Sequence, residues 1–138
     1  MAPRVSGVLE TALYVEDPDR SSAFYERVLG FEPFLREERM VGLGVPGGQV
    51  LLLFRRGGST QPSPTPGGLI PAHDGGGVLH VCFAVPLAEL DRWREHLTEQ
   101  GVEIESEVVQ SFGGTSLYFR DPDDHSVEVA APGLWPNY

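Results

Sequence analysis

The feature that most constrains the fold is an order of elements that occurs twice. From Val8 to Val15 the chain reads as a strand, and it halts at Asp17-Pro18, where Asp can cap a helix and Pro fits its first turn. The spacing predicts a helix from that point, because Phe24, Tyr25, Val28 and Leu29 fall on one side and Gly30 is suited to end it. Strand-like stretches follow over Phe31–Glu37, Met40–Val45 and Val50–Arg55, with Gly47-Gly48 as a turn. The succession then restarts: a strand over Val78–Val85, a helix from Pro86 to about Gln100 carrying Leu90, Trp93 and Leu97 on one side, and strands over Val102–Val109, Thr115–Arg120 and Ser126–Ala130. The expected fold is α+β, with two tandem βαβββ modules at about 6–56 and 78–132 within one domain spanning 1–138. The connecting stretch Gly57–Gly77, GGSTQPSPTPGGLIPAHDGGG, is too rich in Gly and Pro for regular structure and is expected to be a lid or a linker.

Composition narrows the function. A chain of 138 residues with 41% hydrophobic content can bury a real core. Its formal charge of −10 lacks the basic footprint that a nucleic acid or an anionic membrane needs, so neither is an expected partner. No stretch approaches the roughly 20 apolar residues of a membrane helix, and MAPRVSGVLE has no apolar signal core. Cys82 is the single cysteine, which suits a reducing compartment, so the expected location is cytoplasmic. All ten basic residues are arginines, which removes lysine chemistry such as a Schiff base.

Side chains alternate across a strand, so parity sorts each strand into two faces. In the first strand Leu13 and Val15 oppose Glu10, Ala12 and Tyr14; in the strand opening module two, Val81, Phe83 and Val85 oppose His80, Cys82 and Ala84. In the last strand Val127 and Val129 oppose Ser126, Glu128 and Ala130. One face of each is bulky and apolar, and the other carries small residues plus one Glu or His. Taken singly, a strand carboxylate is usually solvated and a strand histidine usually a hydrogen-bonded core residue. Together they suggest a cation, because burying an unpaired carboxylate costs several kcal/mol and two converging carboxylates repel. Two carboxylates and an imidazole suit one divalent ion of Zn, Fe, Mn or Ni, with Glu10, His80 and Glu128 as the candidate metal ligands. His125 falls on the opposite parity and reads as a turn-stabilising residue, and His96 as a solvated helix residue. His73, in the Gly/Pro stretch, is a secondary candidate for a substrate contact or a lid-borne acid or base.

Three segments, LETALYVEDPDRSSAFYERVLGF (Leu9–Phe31), LHVCFAV (Leu79–Val85) and SLYFRDPDDHSVEVAAP (Ser116–Pro132), resemble the vicinal oxygen chelate superfamily of glyoxalase I, extradiol dioxygenases, fosfomycin-resistance enzymes and bleomycin-resistance proteins. The resemblance implies a glyoxalase-like fold with sheets curled around a central cleft. It also implies metal ligands on the three strands that bear Glu10, His80 and Glu128. The first of these positions is commonly His in the family, and the Glu that glyoxalase I adds on the last strand of module one is here Leu52. Likeness to the fosfomycin branch implies substrate contacts from Ser116 and Tyr118, although the absence of lysine argues against a phosphonate substrate.

The function implied is a divalent-metal-dependent enzyme, a lyase, isomerase or dioxygenase, that binds a small-molecule substrate through oxygen atoms and stabilises an oxyanion. Glu10 or Glu128 would be the catalytic carboxylate that moves a proton. Relatives also imply a homodimer, with each site built within one subunit or across two. The alternative is a metal-free protein that binds a drug or metabolite, as bleomycin-resistance relatives do.

Overall fold

Each half of the chain builds an open, four-stranded sheet with its first and fourth strands side by side. The computed structural model describes Met1–Tyr138, which divides into two units, Met1–Gly76 and Gly77–Tyr138. In the first unit β1 (Glu10–Val15), α1 (Pro18–Leu29), β2 (Glu32–Glu37), β3 (Met40–Val45) and β4 (Gln49–Arg55) form a sheet ordered β1-β4-β3-β2. A short hairpin, β5 (Ser63–Thr65) and β6 (Gly68–Ile70), follows. In the second unit β7 (His80–Ala84), α2 (Leu90–Glu99), β8 (Ser106–Val109), β9 (Thr115–Arg120) and β10 (Ser126–Ala130) form the equivalent order, β7-β10-β9-β8. The β1–β4 and β10–β7 pairs are parallel and the remaining pairs within each sheet antiparallel. The doubled α+β order read from the sequence is therefore the order of the fold.

Local chemistry sets the helix ends. Asp17 has extended backbone and its carboxylate accepts from the Asp19 and Arg20 N–H groups, while Gly30 closes α1 in the left-handed region at φ 71°. At 12 residues α1 is too short to stand alone in water. It is held by packing Phe24, Tyr25 and Val28 against a sheet face of Leu13, Val15, Val41, Leu43, Leu51 and Leu53, all buried. Each such side chain taken from water contributes about 1.5–3 kcal/mol, so this face sets which way the sheet must turn. The helix-side face of the second sheet is equally apolar: Leu117, Phe119, Val127 and Val129 are fully buried.

Three expectations need correction. The Gly/Pro stretch is not without regular structure, because β5 and β6 pair from Ser63↔Ile70 to Thr65↔Gly68, and the Thr65 hydroxyl donates to the Gly68 carbonyl across the turn. The helix expected from Pro86 begins as a 3₁₀ turn, Leu87–Glu89, and becomes α-helical only at Leu90, in keeping with an N-terminus that no side chain caps. The strand expected from Val102 pairs only from Ser106 onward.

No helix is long and apolar enough to cross a membrane. Replacing Asp17 by Ala should lower the unfolding free energy by about 1 kcal/mol in urea titrations, with Asp17→Asn retaining most of it, because only the cap acceptor is lost.

Candidate functional site

The inter-strand register confirms the parity reading. Glu128 sits opposite Cys82 on one side and Tyr118 on the other, Ser126 opposite His80, and Ala130 opposite Ala84 and Ser116. His80, Cys82, Ser116, Tyr118 and Glu128 thus share the face of the second sheet that turns away from its apolar side. Glu128 lies on an inner strand and its side chain is only 4% exposed, whereas that of His80, on the edge strand, is 51% exposed.

Their contact is chemically unbalanced. His80 Nδ1 lies 2.9 Å from the Ser126 carbonyl oxygen, an acceptor, so Nδ1 carries the proton and donates it. In a neutral ring Nε2 then has only a lone pair, yet it lies 3.3 Å from Glu128 Oε2. A lone pair facing a carboxylate needs a positive centre, either a proton or a metal ion. Glu128 Oε1 is buried and has no hydrogen-bond partner of ordinary geometry, with the Cys82 thiol and the Tyr118 hydroxyl as the neighbouring polar groups that its carboxylate influences. A buried anionic oxygen left this way costs several kcal/mol. These donors, one imidazole nitrogen and a carboxylate with a spare oxygen, fit a divalent ion of the Zn, Fe, Mn or Ni type.

Around the pair, the neighbours hold their protons. Although Cys82 is exposed as a residue, desolvation of its thiol against the sheet, and then the Glu128 charge and a hydrogen bond to that carboxylate, push it up to about 12. Burial also raises the Tyr118 phenol, helped by Glu128 and opposed by its hydrogen bond from Gln110. Neither adds a second anion at neutral pH. Ser116 is fully buried, and Gln110 Nε2 donates to both Ser116 Oγ (2.9 Å) and the Tyr118 hydroxyl (3.2 Å). Gln110 was not singled out from the sequence. Extending the parity of Ser106 and Val108 by one step beyond β8 would have placed it on this face. His125 is fully buried and its Nδ1 accepts the Leu79 N–H at 2.9 Å, which anchors the start of β7 and fits a structural role.

In the first unit, Glu10 lies exposed at the start of β1 and lines a cleft of about 900 Å³. Its floor is the open face of the sheet, which Met40, Leu52 and Phe54 make apolar. The 59–73 segment forms a second wall. There His73 Nδ1 lies 2.8 Å from the Tyr14 hydroxyl and its ring meets Phe54 edge-on, with centroids 4.4 Å apart. Gly75 packs directly on the Tyr14 ring: a Cβ there would come within 2.3 Å of Cδ2, so only glycine permits the approach. Of the expected site residues, then, His80, Ser116, Tyr118 and Glu128 gather in one unit and Glu10 and His73 in the other. Neither unit by itself contains three His, Cys, Asp or Glu side chains grouped for a metal.

Residues 7–129 match the family described as the Glyoxalase/Bleomycin resistance protein/Dioxygenase superfamily. The chain belongs to this superfamily. Among solved structures, the lactoylglutathione lyase from Agrobacterium tumefaciens is 34% identical, covers 97% of this chain and 99% of its own, and superposes with a TM-score of 0.87. The metallothiol transferase FosB of Shouchella clausii (strain KSM-K16) is 27% identical over 128 residues, which are 91% of this chain and 80% of FosB. FosX, a fosfomycin resistance protein from Listeria monocytogenes, shares the fold at 22% identity, with a TM-score of 0.67 over 95% of this chain and 97% of its own. Glyoxalase-superfamily membership thus rests on sequence and fold together.

The charge on Glu128 should be readable through its neighbour. In chelator-treated protein, Cys82, although exposed, is expected to react with iodoacetamide at pH 8 at least about tenfold more slowly than a free thiol, because local desolvation and the Glu128 charge disfavour its thiolate. Glu128→Gln should speed the reaction by removing one of the causes of that shift. Equal rates in wild type and variant would show that desolvation alone, and not the Glu128 charge, slows the thiol.

Proposed function

We propose that this chain is a divalent-metal enzyme of the glyoxalase superfamily, in which Glu10, His80 and Glu128 hold one Zn, Fe, Mn or Ni ion and a small substrate binds through its oxygen atoms. The observation that carries this reading is the buried Glu128 carboxylate, with one oxygen unpartnered and the other beside His80 Nε2. The bound ion would supply Lewis acidity toward an oxyanion forming on the substrate.

The remaining chemistry belongs to the chain. A carboxylate, Glu10 or Glu128, takes or returns the substrate proton. Tyr118, kept protonated, offers a hydroxyl donor beside the site, and Gln110 fixes its orientation together with that of Ser116. Cys82 remains a neutral thiol and forms wall rather than nucleophile. Lyase, isomerase and dioxygenase chemistry are all compatible with this residue set. The proposal includes a cytoplasmic homodimer, in which Glu10 reaches the His80–Glu128 pair of the same or the partner copy.

Metal analysis of protein purified without chelator should find about one ion per chain, and Glu128→Gln or His80→Ala should weaken metal affinity by at least about 100-fold. No measurable affinity of the wild type for Mn, Fe, Ni or Zn would sink the proposal and favour the metal-free binding reading. Mixing inactive Glu10→Gln with inactive Glu128→Gln then tells which copy supplies Glu10. A site shared across subunits regains activity in the mixed dimer, since one of its two sites is intact; a site within one subunit does not. A chain that sediments as a monomer at every concentration would remove the dimer from the proposal.

A further inference from the structure

The cleft of the first unit contains a cation that no carboxylate neutralises. Arg39, at the turn between β2 and β3, lines it half-buried, and its guanidinium has only two side-chain partners, the hydroxyls of Ser63 (2.8 Å) and Ser59 (3.5 Å). Both serines belong to the segment that walls the cleft, and Ser59 is itself buried. By contrast Arg36, Arg55, Arg92, Arg94 and Arg120 all reach acidic side chains. In a protein with twice as many acids as bases, 20 against 10, an arginine spared a carboxylate and set among hydroxyls is available to an incoming anion.

We propose that this cleft is a binding site for an amphipathic monocarboxylate. Its carboxylate would take the remaining guanidinium donors, with the Ser59 and Ser63 hydroxyls beside them, and its aryl or alkyl body would lie on Met40, Leu52, Phe54 and Ile70. The cleft volume of about 900 Å³ falls within the range of small-molecule sites. A planar carboxylate matches the fork of a single guanidinium, whereas a doubly charged phosphate would bring more charge than one arginine offsets. Glu10 and Glu37 also line the cleft, but both are exposed, so water and salt weaken their repulsion of a single negative charge. Because Glu10 lines the same cleft, the carboxylate would be the remote end of the substrate. That last placement rests on the proposed function; the binding itself does not.

The test is calorimetric titration of 4-phenylbutyrate and its neutral amide, 4-phenylbutanamide, run in parallel with EDTA and with added Mn. The acid should bind about tenfold more tightly than the amide, equally with and without metal. Arg39→Gln should erase that preference, and Arg39→Lys should restore part of it. Amide chemical shifts of wild-type protein should move at residues 39, 52, 63 and 70, which keeps the test independent of how the variants fold. Equal affinity for acid and amide, no binding of either, or shifts confined to residues outside the cleft would overturn the proposal. Acid binding that vanishes with EDTA would also overturn it, by placing the carboxylate on the ion instead; absence of metal affinity alone would leave it standing.

Discussion

The candidate chemistry depends on one electrostatic imbalance, an anion held out of water with half of its acceptor capacity unused. Glu128 occupies an inner strand, between valines that are fully buried on the other side, so the carboxylate cannot swing out to solvent without dismantling the sheet. Two of the polar groups around it feel that charge, Cys82 and Tyr118. His80 is turned by the Ser126 carbonyl so that its bare nitrogen faces the anion, and Cys82 and Tyr118 keep their protons. A site with one fixed anion, one oriented imidazole and neutral flanks is preorganised to accept positive charge. In the proposed enzyme that is the property which selects a divalent ion.

The two units share a topology but use their open faces differently. In the second unit the open face is polar, and its side chains are oriented by one another through Gln110 and Ser126. In the first unit the equivalent face is an apolar floor with polar groups at its margin, Glu10 and Arg39 among them. Duplication supplied the same four-stranded frame twice, and the residues pointing off that frame made one copy suited to holding charge and the other to holding hydrocarbon.

Much of this was legible in residue order. Parity separated Glu10, His80 and Glu128 from the apolar faces because a two-residue period survives in any strand whose other side is buried, and the register bears out that sorting. What escaped was set by contacts between distant residues. Pro64 argues against a strand by composition, but β5 pairs on one side only, so the missing N–H costs no ladder bond there. The hairpin is tied instead to Arg39, more than twenty residues earlier. Likewise Val102 and Ile104 look extended, yet pairing with β9 begins only at Ser106. Leu52 was read as a lost ligand, and its position on the open face gives it another role, as part of the cleft floor.

Strand position also decides which parts of the proposed site are free to vary. β1 is an outer strand and Glu10 is exposed at its first residue, so exchanging that side chain disturbs no packing and leaves the folding free energy nearly untouched. Glu128 has no such latitude, enclosed as it is on an inner strand. If position 10 supplies a donor atom, as proposed, ion preference would be open to change at the periphery by exchanging that side chain, while the enclosed carboxylate of Glu128 would stay fixed.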